Sequence, residues 1–155
     1  VSHQAKVLTV STAAARGERE DKSGDALMAA LAEAGFDVVE RAVVTDGTDA
    51  VAAALRTFVD GFTGLVVTTG GTGFSPTDET PEGTLAVVER EAPGLAEAMR
   101  LVNPLGRLSR GVAGTAGQAL VINTPGSTAG SVECLNAVID VLPHALELLA
   151  GGRPH

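Results

Sequence analysis

The residues best suited to chemistry lie in one segment, Thr68-Thr69-Gly70-Gly71-Thr72-Gly73-Phe74-Ser75-Pro76-Thr77-Asp78-Glu79-Thr80-Pro81. Glycines let a backbone adopt positive φ and come close to a ligand. Successive N–H groups in such a loop form an anion-binding concavity. The hydroxyls of Thr69, Thr72 and Ser75 add donors, and a helix beginning near Pro81 would add its positive end. The segment lacks both the Gly-Lys-Ser/Thr of a P-loop and the G-x-G-x-x-G of a dinucleotide fold. Gly-Gly-Thr-Gly after a strand also fits a plain tight turn. Its position after the most apolar strand favours a site for a phosphorylated small molecule.

These residues need a scaffold, and the flanking pattern supplies one. Ala5–Val10 and Asp37–Val44 read as strands, Gly64–Thr69 as a central strand covered on both faces, and Ala119–Asn123 as a fourth. Between them come a polar loop (Ser11–Lys22) and a helix capped by Ser23, with Leu27 and Leu31 on one face and Gly35 as its stop. After Thr45-Asp46-Gly47 a helix carries Val51, Leu55, Phe58 and Val59. Thr80-Pro81-Glu82 reads as cap, first position and first turn of a helix to about Glu91. Pro93-Gly94 introduces another, with Leu95, Met99 and Val102 on one face. Asn103–Gly117 reads as a loop with a short helical piece. A long C-terminal pattern (Val132, Leu135, Ile139, Leu142, Leu146, Leu149) is kinked or divided at Pro143.

Strands alternating with helices predict a three-layer α/β/α fold, an open, mostly parallel sheet with helices on both faces, built as one domain over residues 1–155. Ligands of such sheets sit beyond the carboxyl ends of the strands. Ser11–Lys22, Thr68–Thr80 and Thr124–Gly130 all end there, and Asp46 can reach the same edge.

With 45% hydrophobic residues, four Phe and no Trp or Tyr, the core must be aliphatic. A net charge of −8 argues against nucleic acid and anionic membrane as partners. It also repels a phosphate ligand, so local amides, a metal ion or a few Arg must hold it. Cys134 is the only cysteine, which excludes an internal disulfide and fits a reducing, cytoplasmic setting. Val7 to Val10 is too short for a signal peptide, and no run reaches membrane-spanning length. His3, His144 and His155 form no ligand cluster, and Cys134 reads as a small packed residue.

Three segments, in order, resemble the MogA/MoaB-like family of molybdenum-cofactor biosynthesis proteins. They are the glycine loop with Asp78, Thr80-Pro81-Glu82 and Arg90 to Arg100; Leu108-Ser109-Arg110-Gly111-Val112-Ala113-Gly114; and Asn123-Thr124-Pro125-Gly126-Ser127. The resemblance implies a chain that binds molybdopterin and ATP with Mg²⁺, moves AMP onto the pterin's terminal phosphate, and releases pyrophosphate. It also implies hand-over to a molybdenum-inserting MoeA-type protein and a homo-oligomer, a trimer in preference to the hexamer of the MoaB branch.

By motif position the family's two important aspartates match Asp46 and Asp78, expected to position Mg²⁺ between two anionic substrates. Each has a plainer reading: Asp46-Gly47 is a favoured turn, and Asp78 can cap the Thr80 region. Pro125, Gly126 and Ser127 offer amides and a hydroxyl to phosphate or pterin, or else simply start the last helix with Ser127 as cap. Ser109 and Arg110 add a donor and a cation, unless Arg110 is solvated or structural.

Two departures border this site. Many members carry Ser-Asp after the first strand, whereas here the loop reads Ser11-Thr12-Ala13-Ala14-Ala15-Arg16-Gly17. Thr128-Ala129-Gly130 stands where Pro is common. A MoaB-like oligomer that binds pterin with little catalysis is therefore the alternative. A related competence-damage-type domain usually belongs to a longer chain, and a last helix ending near Ala150 leaves no room for its extra domain.

Overall fold

Val, Leu and Ile runs suit strands whose two faces are both covered. In a computed structural model, which describes residues 2–152, they form β1 (Gln4–Val10), β2 (Asp37–Val44), β3 (Gly64–Thr69) and β6 (Ala119–Thr124), with β4 (Arg90–Glu91) and β5 (Ala113–Ala116) added at one edge. The helices are α1 (Thr12–Ala15), α2 (Lys22–Glu33), α3 (Thr48–Val59), α4 (Thr80–Leu85), α5 (Pro93–Leu101), α6 (Thr128–Val138) and α7 (Leu142–Leu149), with a 3-10 helix at Pro104–Leu108. His155 lies outside the described residues.

The sheet order is β2-β1-β3-β6-β5-β4. β2, β1, β3 and β6 run parallel, whereas β5 is antiparallel to β6 and β4 antiparallel to β5. This is the expected α/β architecture, a mostly parallel sheet with helices on both faces. β3 shows why its sequence is continuously apolar. Leu65 and Val67 join Leu27, Leu31, Met99, Leu135 and Leu142 on one face, and Val66 joins Val51, Leu55 and Phe58 on the other. Each such side chain is worth roughly 1.5–3 kcal/mol when fully buried. The core is aliphatic, and of the four Phe only Phe74 is strongly exposed.

The chain leaves β1 to form β2 on one side and returns to place β3 on the other. The carboxyl ends of β1 and β3 therefore flank a topological switch point, where open sheets form a ligand crevice. Among the described residues no helix is long and apolar enough to cross a membrane.

Several local expectations are corrected. α2 is capped by Asp21 rather than Ser23: the Asp21 carboxylate accepts from Gly24 N at 3.0 Å, and also from Thr9 Oγ1 and Arg41. The Ser11–Lys22 loop contains the single turn α1, whose cap Ser11 accepts from Ala14 N. α4 stops at Leu85 instead of Glu91: Val87 N and Val88 N close its last turn on Thr84 O, and Glu89 N and Ala92 N then donate to β5 carbonyls. Within Asn103–Gly117 the short helical piece is present, but Ala113–Ala116 forms an unexpected strand. Pro143 divides the C-terminal pattern, standing at the second position of α7.

Candidate active site

The glycine loop leaves β3 at the switch point, and its first two glycines are dictated by contact. Gly70 has φ +99°, and a Cβ there would lie 2.2 Å from the Val10 carbonyl oxygen of β1. Gly71 has φ +69°, and its Cβ would lie 2.2 Å from Thr80 Oγ1. Thr80, expected as a helix cap, instead staples the loop shut. Its buried hydroxyl donates to Gly70 O at 2.8 Å and its N–H to Gly71 O at 3.0 Å. The residue preceding α4 is Glu79, which makes no side-chain cap there; its carboxylate accepts from Thr48 N at the start of α3.

Among the described residues, the N–H groups of Gly71, Thr72 and Gly73 donate to no protein acceptor, whereas Gly70 N donates to Thr124 O. The loop thus presents three open amides, the arrangement that takes an anion. Its hydroxyls are differently placed. Thr69 Oγ1 donates to Pro125 O at 2.8 Å and ties this loop to the β6–α6 loop. Thr72 is buried against a cavity. Ser75 is exposed, sits 3.2 Å from Thr77 Oγ1, and lines neither cavity described below.

Arg110 reaches neither cavity. Its Nε donates to Gly73 O at 2.8 Å, its Nη2 to Asp78 O at 2.6 Å and its main-chain N–H to Thr72 O at 2.8 Å. Nη1 pairs with Glu82 Oε2 at 2.7 Å. The Glu82 bond raises the guanidinium pKa, and the same bond holds the Glu82 carboxyl below its usual range. The side chain therefore bolts both ends of the Gly73–Asp78 excursion to α4, which fixes the open amides relative to Asp78.

Asp46 and Asp78 converge on one cavity. Asp46 Oδ2 accepts from Thr12 Oγ1 at 2.8 Å and Thr12 N at 3.2 Å, while Asp46 N donates back to Thr12 Oγ1. Its Oδ1 takes no such bond and would be 3.4 Å from a Cβ on Gly71. Asp78 Oδ2 accepts from Ser75 N at 3.1 Å. Each carboxylate is thus oriented through one oxygen and keeps the other. Two carboxylates completed by substrate phosphates suit Mg²⁺, which rarely uses an all-protein cage. Consistently, no group of three or more His, Cys, Asp or Glu among the described residues could hold a metal.

Two cavities flank the loop. One, of about 650 Å³, is polar and lies over β1 and β3, lined by Thr9, Ser11, Arg19, Lys22, Asp46 and Asp78 among others. The other, of about 610 Å³, is walled by Met99, Val102, Leu105, Leu108 and Cys134, with Thr72, Ser109 and Asn123 supplying polar points. They share Gly71, Asp78, Gly126 and Ser127. At that junction Ser127 caps α6, its hydroxyl accepting from Gly130 N at 3.1 Å. The N–H groups of Gly126, Ser127, Thr128 and Ala129 donate to no acceptor among the described residues. Pro125 borders the same apolar cavity. Ser109 Oγ accepts from Gly111 N.

Thus Thr69 to Gly73, Asp46, Asp78, Gly126 and Ser127 come together, while Ser75 and the Arg110 guanidinium stand outside. Sequence reading missed Thr12, which holds Asp46, and the cavity-lining Arg19, Lys22 and Arg100. Of these, Arg100 lay inside the first of the family-like segments. Beneath the site, buried Asn123 donates to Thr68 Oγ1 (2.9 Å) and Thr84 Oγ1 (3.0 Å) and accepts from Val112 N (3.1 Å), which locks β3, α4 and β6 together.

Residues 6–144 match the family described as "probable molybdopterin binding domain". A molybdopterin adenylyltransferase of Helicobacter pylori is 38% identical over 152 residues, covering 94% of this chain and 86% of that protein. Molybdenum cofactor biosynthesis protein B of Escherichia coli is 37% identical over 128 residues, covering 79% and 74%. The crystal structure of MoaB from Thermus thermophilus superposes with a TM-score of 0.91 at 45% identity, covering 96% of this chain and 97% of that one. Two cavities joined over open amides, on a scaffold shared with these proteins, place the chain in the molybdopterin-binding domain family of molybdenum-cofactor biosynthesis.

Proposed function

We propose that this chain acts in molybdenum-cofactor biosynthesis as a Mg²⁺- and ATP-dependent molybdopterin adenylyltransferase. The observation that carries the reading is the junction, where a polar and an apolar cavity meet on two sets of unpaired amides beside two oriented carboxylates. A ring system suits the apolar cavity, and a nucleotide with its phosphates suits the polar one. The reacting phosphates would then meet over Gly71–Gly73 and the amino end of α6.

In the reaction an oxygen of the pterin's terminal phosphate attacks the α-phosphorus of ATP. The bond from that phosphorus to the bridging oxygen breaks, and pyrophosphate leaves with the bond's electrons. Two anions must approach within bonding distance on a chain of net charge −8. The open amides supply fixed positive dipoles, which do most of the work in such transfers. Asp46 and Asp78 would hold Mg²⁺, which supplies charge neutralisation of the phosphates when bound. Thr12 keeps Asp46 in one rotamer, and Arg110 fixes Asp78 relative to the amides. Asp46 also orients the attacking phosphate.

One domain spanning residues 1–155, a cytoplasmic setting, a homotrimer and hand-over of product to a MoeA-type protein complete the proposal. Exposed Leu101, Leu105 and Leu108 offer apolar surface for association. One observation favours a MoaB-like binding role instead: the loop after β1 offers Thr12 and Ala13 where many members carry a carboxylate. Incubation with molybdopterin, MgATP and pyrophosphatase separates the readings. Adenylylated molybdopterin supports the enzyme, pterin bound without product supports the binding protein, and no pterin binding removes both.

A further inference from the structure

Among the described residues, Arg100 is the one cation lining the apolar cavity. It stands in the last turn of α5, half-buried, and its Nη1 donates to Gly111 O at 2.7 Å. That bond uses one of five guanidinium N–H donors. Lys6, Arg41 and Arg110 are each paired with carboxylates, whereas no carboxylate pairs with Arg100 among the described residues. Acidic residues outnumber Lys and Arg by 19 to 11; other cations also lack a carboxylate partner, but among the described residues only Arg100 is set in the apolar wall. Glu133 lines the same cavity and makes no ion pair with it.

A half-buried guanidinium that faces a cavity with donors unused and no counter-charge offers charge-assisted hydrogen bonds to an anion brought into that cavity. The geometry says where the anion sits. Gly111, the anchor of Arg100, packs tightly: a Cβ on it would be 3.2 Å from Ser109 Oγ and 3.3 Å from Asn123 Cβ. Asn123 is buried near the end of β6 and leads through Thr124 and Pro125 into Gly126 and Ser127. Arg100 therefore occupies the end of the apolar cavity next to the junction. A planar fork with free donors matches the oxygens of a phosphate.

We propose that Arg100 is a substrate-binding residue. It receives the terminal phosphate of the ring-bearing substrate in the apolar cavity and makes the site selective for the phosphorylated form. The proposal rests on the adenylyl-transfer reading and extends it to a residue and a preference that the reading does not contain.

The test measures binding of molybdopterin, of phosphatase-treated molybdopterin and of MgATP to the wild type, R100M and R100K. R100M is expected to weaken molybdopterin binding about 10- to 100-fold, in line with charge-assisted hydrogen bonds, and to leave MgATP binding unchanged. The two proteins should bind the dephosphorylated pterin alike, and R100K should recover part of the loss. If R100M does not fold, R100Q can still reach Gly111 O and takes its place. The inference is overturned if R100M binds molybdopterin like the wild type. It is also overturned if both substrates are lost together, or if the loss persists with the dephosphorylated ligand. Failure of the wild type to bind molybdopterin at all defeats the underlying reading instead, and the inference with it.

Discussion

Replacing Gly71 by Ala, and separately Gly126 by Ala, distinguishes a glycine needed by the fold from one needed by the ligand. At Gly71 the new methyl would sit at φ +69° and 2.2 Å from Thr80 Oγ1, a hydroxyl bonded to Gly70 O and fully buried. The left-handed backbone costs an L-residue roughly 1–2 kcal/mol. Thr80 has few χ1 alternatives, so escaping the methyl breaks its bond and strands a buried acceptor for another ~1–3 kcal/mol. Together about 2–5 kcal/mol is lost, which for a domain of this size lowers Tm by about 5–20 °C. Gly126 lies outside the positive-φ set, and its Cβ would meet Gly70 Cα at 3.4 Å, an ordinary contact. G126A should therefore melt within about 2 °C of the wild type. It places a methyl at the meeting point of the cavities, and misplacing reacting groups by about 1 Å can cost 100-fold, so adenylylation should fall about tenfold or more. Thermal denaturation followed by circular dichroism, with product formation under MgATP, reads both. A G71A protein as stable as the wild type, or a fully active G126A, would refute the reasoning.

Other substitutions extend the case. D46N and D78N should each lower adenylylation roughly 100-fold with little change in Tm, and near-normal turnover by both would sink the carboxylate roles. T12V, which removes the hydroxyl bonds to Asp46 and leaves only the Thr12 N–H on Oδ2, should lower turnover roughly tenfold, with T12S restoring it; equal rates for T12V and T12S would count against the positioning role. The Glu82 carboxyl is held below its ordinary value by Arg110, so the pair contributes stability above the unfolded carboxylate range, near pH ~4.3. That contribution is lost as pH falls through the depressed value. The Tm gap between wild type and E82Q should thus be full at pH 6 and close in more acidic buffer, and a pH-independent gap would exclude the linkage. Burial pushes the Cys134 thiol up, aided by Glu133, and Sγ lies 3.6 Å from Met99 O. Iodoacetamide should therefore label native protein at pH 7.5 far more slowly than urea-unfolded protein, and equal rates would contradict this burial.

β3 and β6 could be read because each is a continuous apolar run buried at every residue, and β1 and β2 from their clustered aliphatic residues, although the edge strand β2 has no fully buried residue. β5 could not be, because Ala113-Gly114-Thr115-Ala116 contains no large apolar residue. A Cβ on Gly114 would be 2.3 Å from Val88 Cγ1, so the strand exists through close approach rather than side-chain bulk. Asp21 and Ser23 both have capping chemistry, and the choice was made by Thr9 and Arg41, residues distant in sequence. The loops of the site were legible from glycines and order. The task of Arg110 was not, since only folding brings the carbonyls of Gly73 and Asp78 within one guanidinium's reach. The apolar cavity was equally hidden, because its wall joins α5, the 3-10 helix and α6.

The most direct measurement is a crystal structure with molybdopterin and a non-hydrolysable MgATP analogue bound together. Phosphate oxygens should lie about 2.7–3.2 Å from the amide nitrogens of Gly71–Gly73 and of Gly126–Ser127, with the pterin ring against Met99 and Leu108 and the nucleotide over β1. Both ligands bound elsewhere, with water alone on those amides, would contradict the account.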